Sequence, residues 1–493
     1  MKRIISNALL SVLLLGLVSS CASQTDGDTD SETTSAPETT TDETESGLFS
    51  DKLSPVDFGG ADFTMLTINE LSGTTLPTTL NYAESETGEV VNDTLFARDR
   101  WLEETYNVNV EYILADESSA AFASQLVGSV MAGDYYYDAC IMDVAVIAKT
   151  MLLNNCSYPI NYIDTINIDA DYWMPELNAD MYIGDGLYFS ASAISPRYYG
   201  SVYIYMFNTE MAEELQLENM YDLVKDGKWT LDKMFELSRL AVNDTDGNTM
   251  IDGNDRLGQL SDCVEGLIYS SGYKVLKNDG GELVCQLKDE GLIELCQKIA
   301  AFFMEDGIFD TTTKVFDSGA VLNNGNTLFY TPVTFNLADY RDLGWGYGIL
   351  PFPKQNEAQE EYICYSQPWA TATVVVPITL TGETLDRAGT LIDAMAAYGY
   401  DYVRPAVYEN VLQMKGARDE ESAEIIDLIF DNVTFELTVM LGGDSLNNLI
   451  NNYFKHQLGE IDIVSSYAEI ESQVEADIDA TVSSITEFAA TLK

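Results

Sequence analysis

The chain has 493 residues, 46% of them hydrophobic, and sets 25 basic side chains against 80 acidic ones for a formal net charge of −55. That length exceeds one ordinary core and predicts two domains. The charge repels nucleic acid and anionic membrane faces, which argues against both as docking partners.

Lys2 and Arg3 precede the apolar run Ala8–Val18. This is the layout of an export signal, and the run is too short to span a membrane comfortably. Its end, Val18–Cys21, resembles the lipobox of bacterial lipoproteins, which implies a lipid thioether on Cys21. Several acyl chains on one residue anchor stably, where a single chain is marginal. Residues 22–50 are rich in Thr, Ser, Asp and Glu and carry no basic residue. Such a stretch has nothing to bury and predicts a disordered acidic tether, reaching roughly 30 Å as a random coil.

The folded part begins after residue 50. Asp62–Ile68 predicts a strand, and Asp93 caps a helix running to Tyr106. Val108, Val110, Tyr112 and Leu114 alternate as a strand does. A helix from about Ser118 carries Phe122, Leu126 and Val130 on one side and ends at Gly133, before a strand over Tyr137–Met142. This β-α-β-α-β order predicts a parallel sheet covered by helices. Val202–Phe207 reads as a further strand.

Thr230 is placed to cap a helix, with Asp232 in the first turn where the helix dipole favours negative charge. Leu231, Met234, Phe235, Ala241 and Val242 supply its apolar face. An Asp-rich loop follows. Asp244, Asp246, Asn248, Asp252 and Asp255 fall at positions 1, 3, 5, 9 and 12, and Met250 at position 7 offers a carbonyl. That is the ligand spacing of an EF-hand-type loop and predicts a structural calcium ion. Position 6 is Thr249 instead of Gly, and position 12 is Asp instead of Glu. An Asx-rich turn held by side-chain-to-backbone bonds would carry the same residues.

Later helices are predicted over Leu292–Phe303, Thr384–Tyr398, Glu420–Phe430 and about Val464–Leu492. Cys296 shares a face with Leu292, Ile299 and Phe303 and reads as an apolar filler. Cys140, Cys156, Cys263, Cys285, Cys296 and Cys364 form no CxxC pair, so free thiols are expected; spacing alone assigns no disulfide. The single histidine, His456, leaves no His-pair zinc motif, and there is no GxSxG elbow, HExxH helix or Walker A loop.

Four stretches carry a family resemblance: YDLVKDGKWTLDKM at Tyr221–Met234 with the Asp loop behind it, Gly88–Val108, Tyr347–Tyr362 and Val407–Ser422. Together they resemble the extracellular solute-binding lipoproteins of bacterial ABC importers, family 1, the sugar-binding-like group. The resemblance implies a two-lobed α/β fold of the periplasmic-binding-protein type II kind, with a hinge and a helical C-terminal portion. Lobe 1 would take residues 51–188 and return over 328–400, Gly348–Pro353 included. Lobe 2 would take 189–327, with the Asp loop, and be completed by 401–493.

It further implies capture of an extracellular solute, most readily an oligosaccharide, for delivery to ABC permease subunits without chemistry. The receptor would be a monomer on the outer face of the cytoplasmic membrane. A sugar offers hydroxyls and an apolar ring face, so aromatic plates with Asn, Asp, Glu and Arg beside them are the groups to seek. Loops near the expected crossings nominate Arg197, Tyr198 and Tyr199, then Tyr330 and Phe335, then Tyr365, Gln367 and Trp369. Asn69 and Glu70 follow the first strand at its carboxyl end, where α/β sheets place ligands. Trp101 and Trp229 are expected to pack within the fold. Two rival readings stand beside the receptor: a glycan-hydrolysing lipoprotein working with two carboxylates, and a glycan-adhesion lipoprotein.

Overall fold

The computed structural model describes residues 47–68, 81–115, 120–190, 192–311, 317–415, 420–456 and 461–493. All lie within one compact unit, Gly47–Lys493. Two five-stranded sheets organise it.

The first sheet grows from the predicted β-α-β-α-β run. Ala61–Ile68 lies between Val108–Ala115 and Ala139–Asp143, parallel to both. Helix Val90–Tyr106 crosses between the first two strands and buries Val91, Leu95, Arg98, Leu102 and Tyr106, a spacing of three and four that makes one face. Its cap is Glu89, whose carboxylate accepts from the Val91 and Asn92 amides, and not Asp93. Asp93 sits in the first turn and reaches back to the Thr87 and Gly88 amides, so the two acids cap reciprocally. Helix Ala120–Ala132 makes the next crossing. The sheet is completed from far along the chain: Ala372–Pro377 inserts antiparallel beside Ala139–Asp143, with the short strand Ser157–Tyr158 beyond it.

The second sheet has the order Ile308–Asp310, Leu257–Ser261, Thr327–Thr331, Tyr205–Asn208, Tyr347–Leu350. Helix Leu231–Ala241, capped by the Thr230 hydroxyl, and helix Glu290–Phe303 follow the sequence expectation. One assignment changes lobe. Tyr347–Leu350 pairs antiparallel with Tyr205–Asn208, so Gly348–Pro353 stays with the second sheet and the return to the first is made by Ala372–Pro377. The Trp229 indole donates to the Pro351 carbonyl at 2.9 Å, and Leu231 N–H donates to Lys354 O at 2.8 Å, fastening this stretch to a second-lobe helix.

Three passages of chain between the lobes lie side by side. Tyr203 N–H donates to Tyr365 O at 2.9 Å and Gln367 N–H to Ser201 O at 2.9 Å. Cys364–Tyr365 pairs with Val433–Thr434, the third passage. This short ribbon is where the chain crosses between the lobes, the place of the hinge in a two-lobed fold. Glu436, next to it and fully buried, accepts the Val275, Leu276 and Thr438 amides; burial pushes its carboxyl above the usual range.

Helix Glu383–Tyr398 covers the first lobe. Its Asp393 carboxylate accepts from the Asn167 amide, the Tyr172 hydroxyl and the Trp173 indole at 2.8–3.0 Å. Trp101 packs against Tyr106 and Tyr398. The last helix, Ile463–Ala489, lies along both lobes: Glu471 pairs with Lys288 of the second, and Ser484 accepts from Asn155 of the first. No helix among the described residues is long and apolar enough to cross a membrane. The six cysteines of the described residues are free thiols. Residues 1–46, including Cys21, lie outside them.

Candidate functional site

Beside the hinge ribbon is a cavity of about 220 Å³. The ribbon supplies Tyr203, Tyr365 and Gln367. The loop leading back to the first sheet supplies Pro368 and Trp369, and the second lobe supplies Glu265 and Tyr269. The first-lobe side carries Lys149; Thr438 and Val439, from the stretch expected to complete the second lobe, lie against it through the Lys149–Val439 bond, and helix Gly443–Asn451 presents Asp444, Asn447, Ile450 and Asn451. The spacings of Asp444, Asn447 and Asn451, three and four residues, put their oxygens and amides on one helix face.

Trp369 is 55% exposed, an unusual state for the largest apolar side chain. Its loop is tied on both flanks. Ala145 N–H donates to Pro368 O, Val144 N–H to Thr371 O, and the Arg197 Nε to Ala370 O at 2.7 Å. The Ser366 and Thr371 hydroxyls bond each other at 2.6 Å across its base. A loop held at this many points presents the indole without having to order it on binding.

The aromatic wall is equally fixed. Tyr203 and Tyr365 are 11° from parallel with centroids 6.1 Å apart, and Tyr269 meets Tyr365 at 4.6 Å. Gln367 Nε2 donates to the Tyr203 hydroxyl at 2.9 Å. Burial raises all three phenols well above the ordinary tyrosine value, and the Glu265 charge pushes the same way in each. Lys149 donates to Val439 O at 2.8 Å; burial lowers its pKa and Asp444 opposes the shift.

Of the residues nominated from sequence, Tyr365, Gln367 and Trp369 line this cavity. Arg197, Tyr198 and Tyr199 occupy the short helix Arg197–Gly200 behind it and are buried. Tyr199 packs on Phe430 and Tyr198 on Phe435. Phe335 is buried against Gly200, where any side chain would collide with its ring. Tyr330 gives its hydroxyl to Asp262 within the second lobe. Asn69 and Glu70 lie outside the described residues. The cavity adds Lys149, Tyr203, Glu265, Tyr269, Thr438, Asp444, Asn447 and Asn451. The one-turn spacing of Glu265 and Tyr269, and the Asp444 stripe, were available signals in the sequence.

The Asp loop is closed at its neck by paired bonds between Asn243 and Arg256. Asp244 accepts from the Gly247 and Thr249 amides, and Asp255 from the Thr245 and Asp252 amides, which hold the Asp255 carboxyl below its ordinary pKa. Thr249 takes φ 69°, the left-handed turn for which an EF-hand keeps glycine. Oxygens of Asp244, Asp246 and Asp255 lie within 4.8 Å of one another. Oxygens that share one calcium at its usual bond length lie within about 5 Å of each other, so the set fits that ion. Asn248, Met250 and Asp252 follow on the same loop.

No protein-family model and no curated protein matches the sequence. Solved structures do. The ABC substrate-binding protein Lmo0181 of Listeria monocytogenes, in complex with cycloalternan, superposes with TM-score 0.53 at 10% identity, over 85% of this chain and 99% of that one. A cyclo/maltodextrin-binding protein complexed with maltotetraose gives 0.53 at 11% identity, over 85% and 97%. The maltose/maltodextrin-binding domain MalE of Bdellovibrio bacteriovorus, bound to maltotriose, gives 0.50 at 14% identity, over 85% and 100%. Likeness at such identities is likeness of fold: this chain has the two-lobed α/β architecture of those binding proteins.

Proposed function

We propose that this protein is the solute-capturing receptor of an ABC importer and takes a carbohydrate into the hinge cavity. One observation carries the reading: a pre-set, half-exposed Trp369 faces a wall of tyrosines and amides at the junction of two hinged lobes. An aromatic plate meets a sugar ring face, and Gln367, Asn447 and Asn451 meet hydroxyls. The solved structures with this fold were obtained with cycloalternan, maltotetraose and maltotriose, which supports the same class. Closure buries the guest, and it leaves for the permease unaltered. A lipid on Cys21 and the acidic tether hold the receptor, a monomer, on the outer face of the membrane.

The test is a melting screen of the chain against oligosaccharides, followed by calorimetry and product analysis on each hit. Saturable binding with no product is expected. Glu265 and Asp444 both line the cavity, which keeps a two-carboxylate hydrolase as the second reading. Cleavage of a bound oligosaccharide that stops on changing either acid would replace the first reading with the second.

The Asp244–Asp255 loop is proposed to hold one structural calcium, with Asp244, Asp246, Asn248, Asp252, Asp255 and the Met250 carbonyl as its ligands. Chelator is expected to lower the melting temperature of the parent and to leave that of Asp244→Ala unchanged. Equal melting of the parent before and after complete removal of calcium, checked by elemental analysis, would dismiss the ion.

A further inference from the structure

Three tyrosines and a carboxylate meet at one corner of the hinge cavity. Tyr203, Tyr365 and Tyr269 form a connected wall, with centroid separations of 6.1 and 4.6 Å. Glu265 lines the same space, one helical turn before Tyr269, and its charge bears on the phenols of all three. A carboxylate lining a partly enclosed cavity attracts an entering cation more strongly than one in open water.

The remaining charges agree. Lys149 is the one basic side chain among the lining residues, and its ammonium donates to the Val439 carbonyl. Asp444 adds a second carboxylate on the opposite side. One lysine against two acids makes the lining negative, in a chain of net charge −55. Phosphorylated or uronic sugars would enter against that field, and a cation would enter with it. A sugar hydroxyl would also donate to Glu265, as to Asn447, Asn451 and Gln367, but only an ammonium adds charge attraction to that bond.

We propose that the solute bears a protonated amine, seated at Glu265 beside the tyrosine wall, with a sugar ring on Trp369. An amino-sugar oligomer has this chemistry. The proposal rests on the cavity being a carbohydrate site, and the experiment separates the two. Calorimetry on the full chain compares four probes: the trimer of glucosamine, the same trimer fully N-acetylated, maltotriose, and spermidine.

The free-amine trimer is expected to bind at least about tenfold more tightly than its acetylated form, the range of a hydrogen bond to a charged group, with affinity falling as salt rises. Glu265→Gln, checked for an unchanged melting temperature, should bring the two trimers to within about threefold of each other. Equal or tighter binding of the acetylated trimer or maltotriose overturns the amine and leaves the carbohydrate reading standing. Binding of spermidine and none of the sugars overturns the carbohydrate reading and keeps the amine. Silence with all four overturns both.

Discussion

Replacing Trp369 with alanine tests the site at its most exposed point. The indole is 55% exposed, while Trp173, Trp229 and Trp345 are buried. A tryptophan has on the order of 250 Å² to bury, so about 140 Å² of Trp369 is open to a guest. At about 25 cal/mol per Å², full cover is worth about 3 kcal/mol, and cover of one ring face about half that. Trp369→Ala should therefore weaken binding of any carbohydrate that stabilises the protein by about tenfold.

The fold should not notice the change, because its loop is held by backbone groups, Arg197 and the Ser366–Thr371 pair. The melting temperature should stay within about 2 °C. Intrinsic fluorescence gives an independent readout, since a guest on Trp369 alters its emission and the variant loses that response. Affinity within twofold of the parent would refute the plate. A large fall in melting temperature would show the indole to be a strut and not a contact.

Arg197→Met should leave melting level or raise it, because Nη1 and Nη2 are buried without a hydrogen-bond partner among the described residues. It should weaken solute binding several-fold through loss of the tie to Ala370. Unchanged affinity would show that the other ties suffice. Asp262 has its pKa raised by burial, so the folded chain holds a proton that the unfolded chain has released. Stability contributed there falls as pH rises from about 3.9 through the raised value. Asp262→Asn should gain on the parent as pH rises above about 4 in urea melts, and a gap independent of pH would contradict this. The thiols of Cys140, Cys296 and Cys364 are pushed up to about 12 by burial. They should resist a thiol reagent until the chain unfolds, with Cys285, which is only partly buried, reacting first. Reductant should leave melting untouched.

Local pattern carried the first lobe. Alternation over Val108–Leu114 is a property of contiguous residues, and that strand forms where it was expected; the helix before it ends at Tyr106 as expected but starts at Val90, ahead of the expected Asp93 cap. Partners distant in sequence were not legible. Arg197, Tyr198 and Tyr199 have the composition of a sugar site, yet Phe430 and Phe435 arrive from the far end of the chain to cover them. Gly348–Pro353 follows Tyr205–Asn208 because of strand pairing, which no short window contains. Tyr365, Gln367 and Trp369 were found because they directly follow the segment before the return crossing. Tyr203 and Tyr269 sit in runs whose apolar character masks a wall that exists only once the lobes meet.

The interior position of Ala372–Pro377 in the first sheet has a consequence for how the molecule is made. A ribosome delivers the chain from one end, and the slot between Ala139–Asp143 and Ser157–Tyr158 can be filled only after more than two-thirds of it has emerged. Until then the nascent polypeptide shows an apolar strand edge, the kind of surface that recruits chaperones or aggregates. Joining strands so far apart is slow, because loop closure must come before any contact rewards it. Assembly of the first sheet therefore waits on synthesis, leaving a window in which the polypeptide is long, unfinished and still threadable.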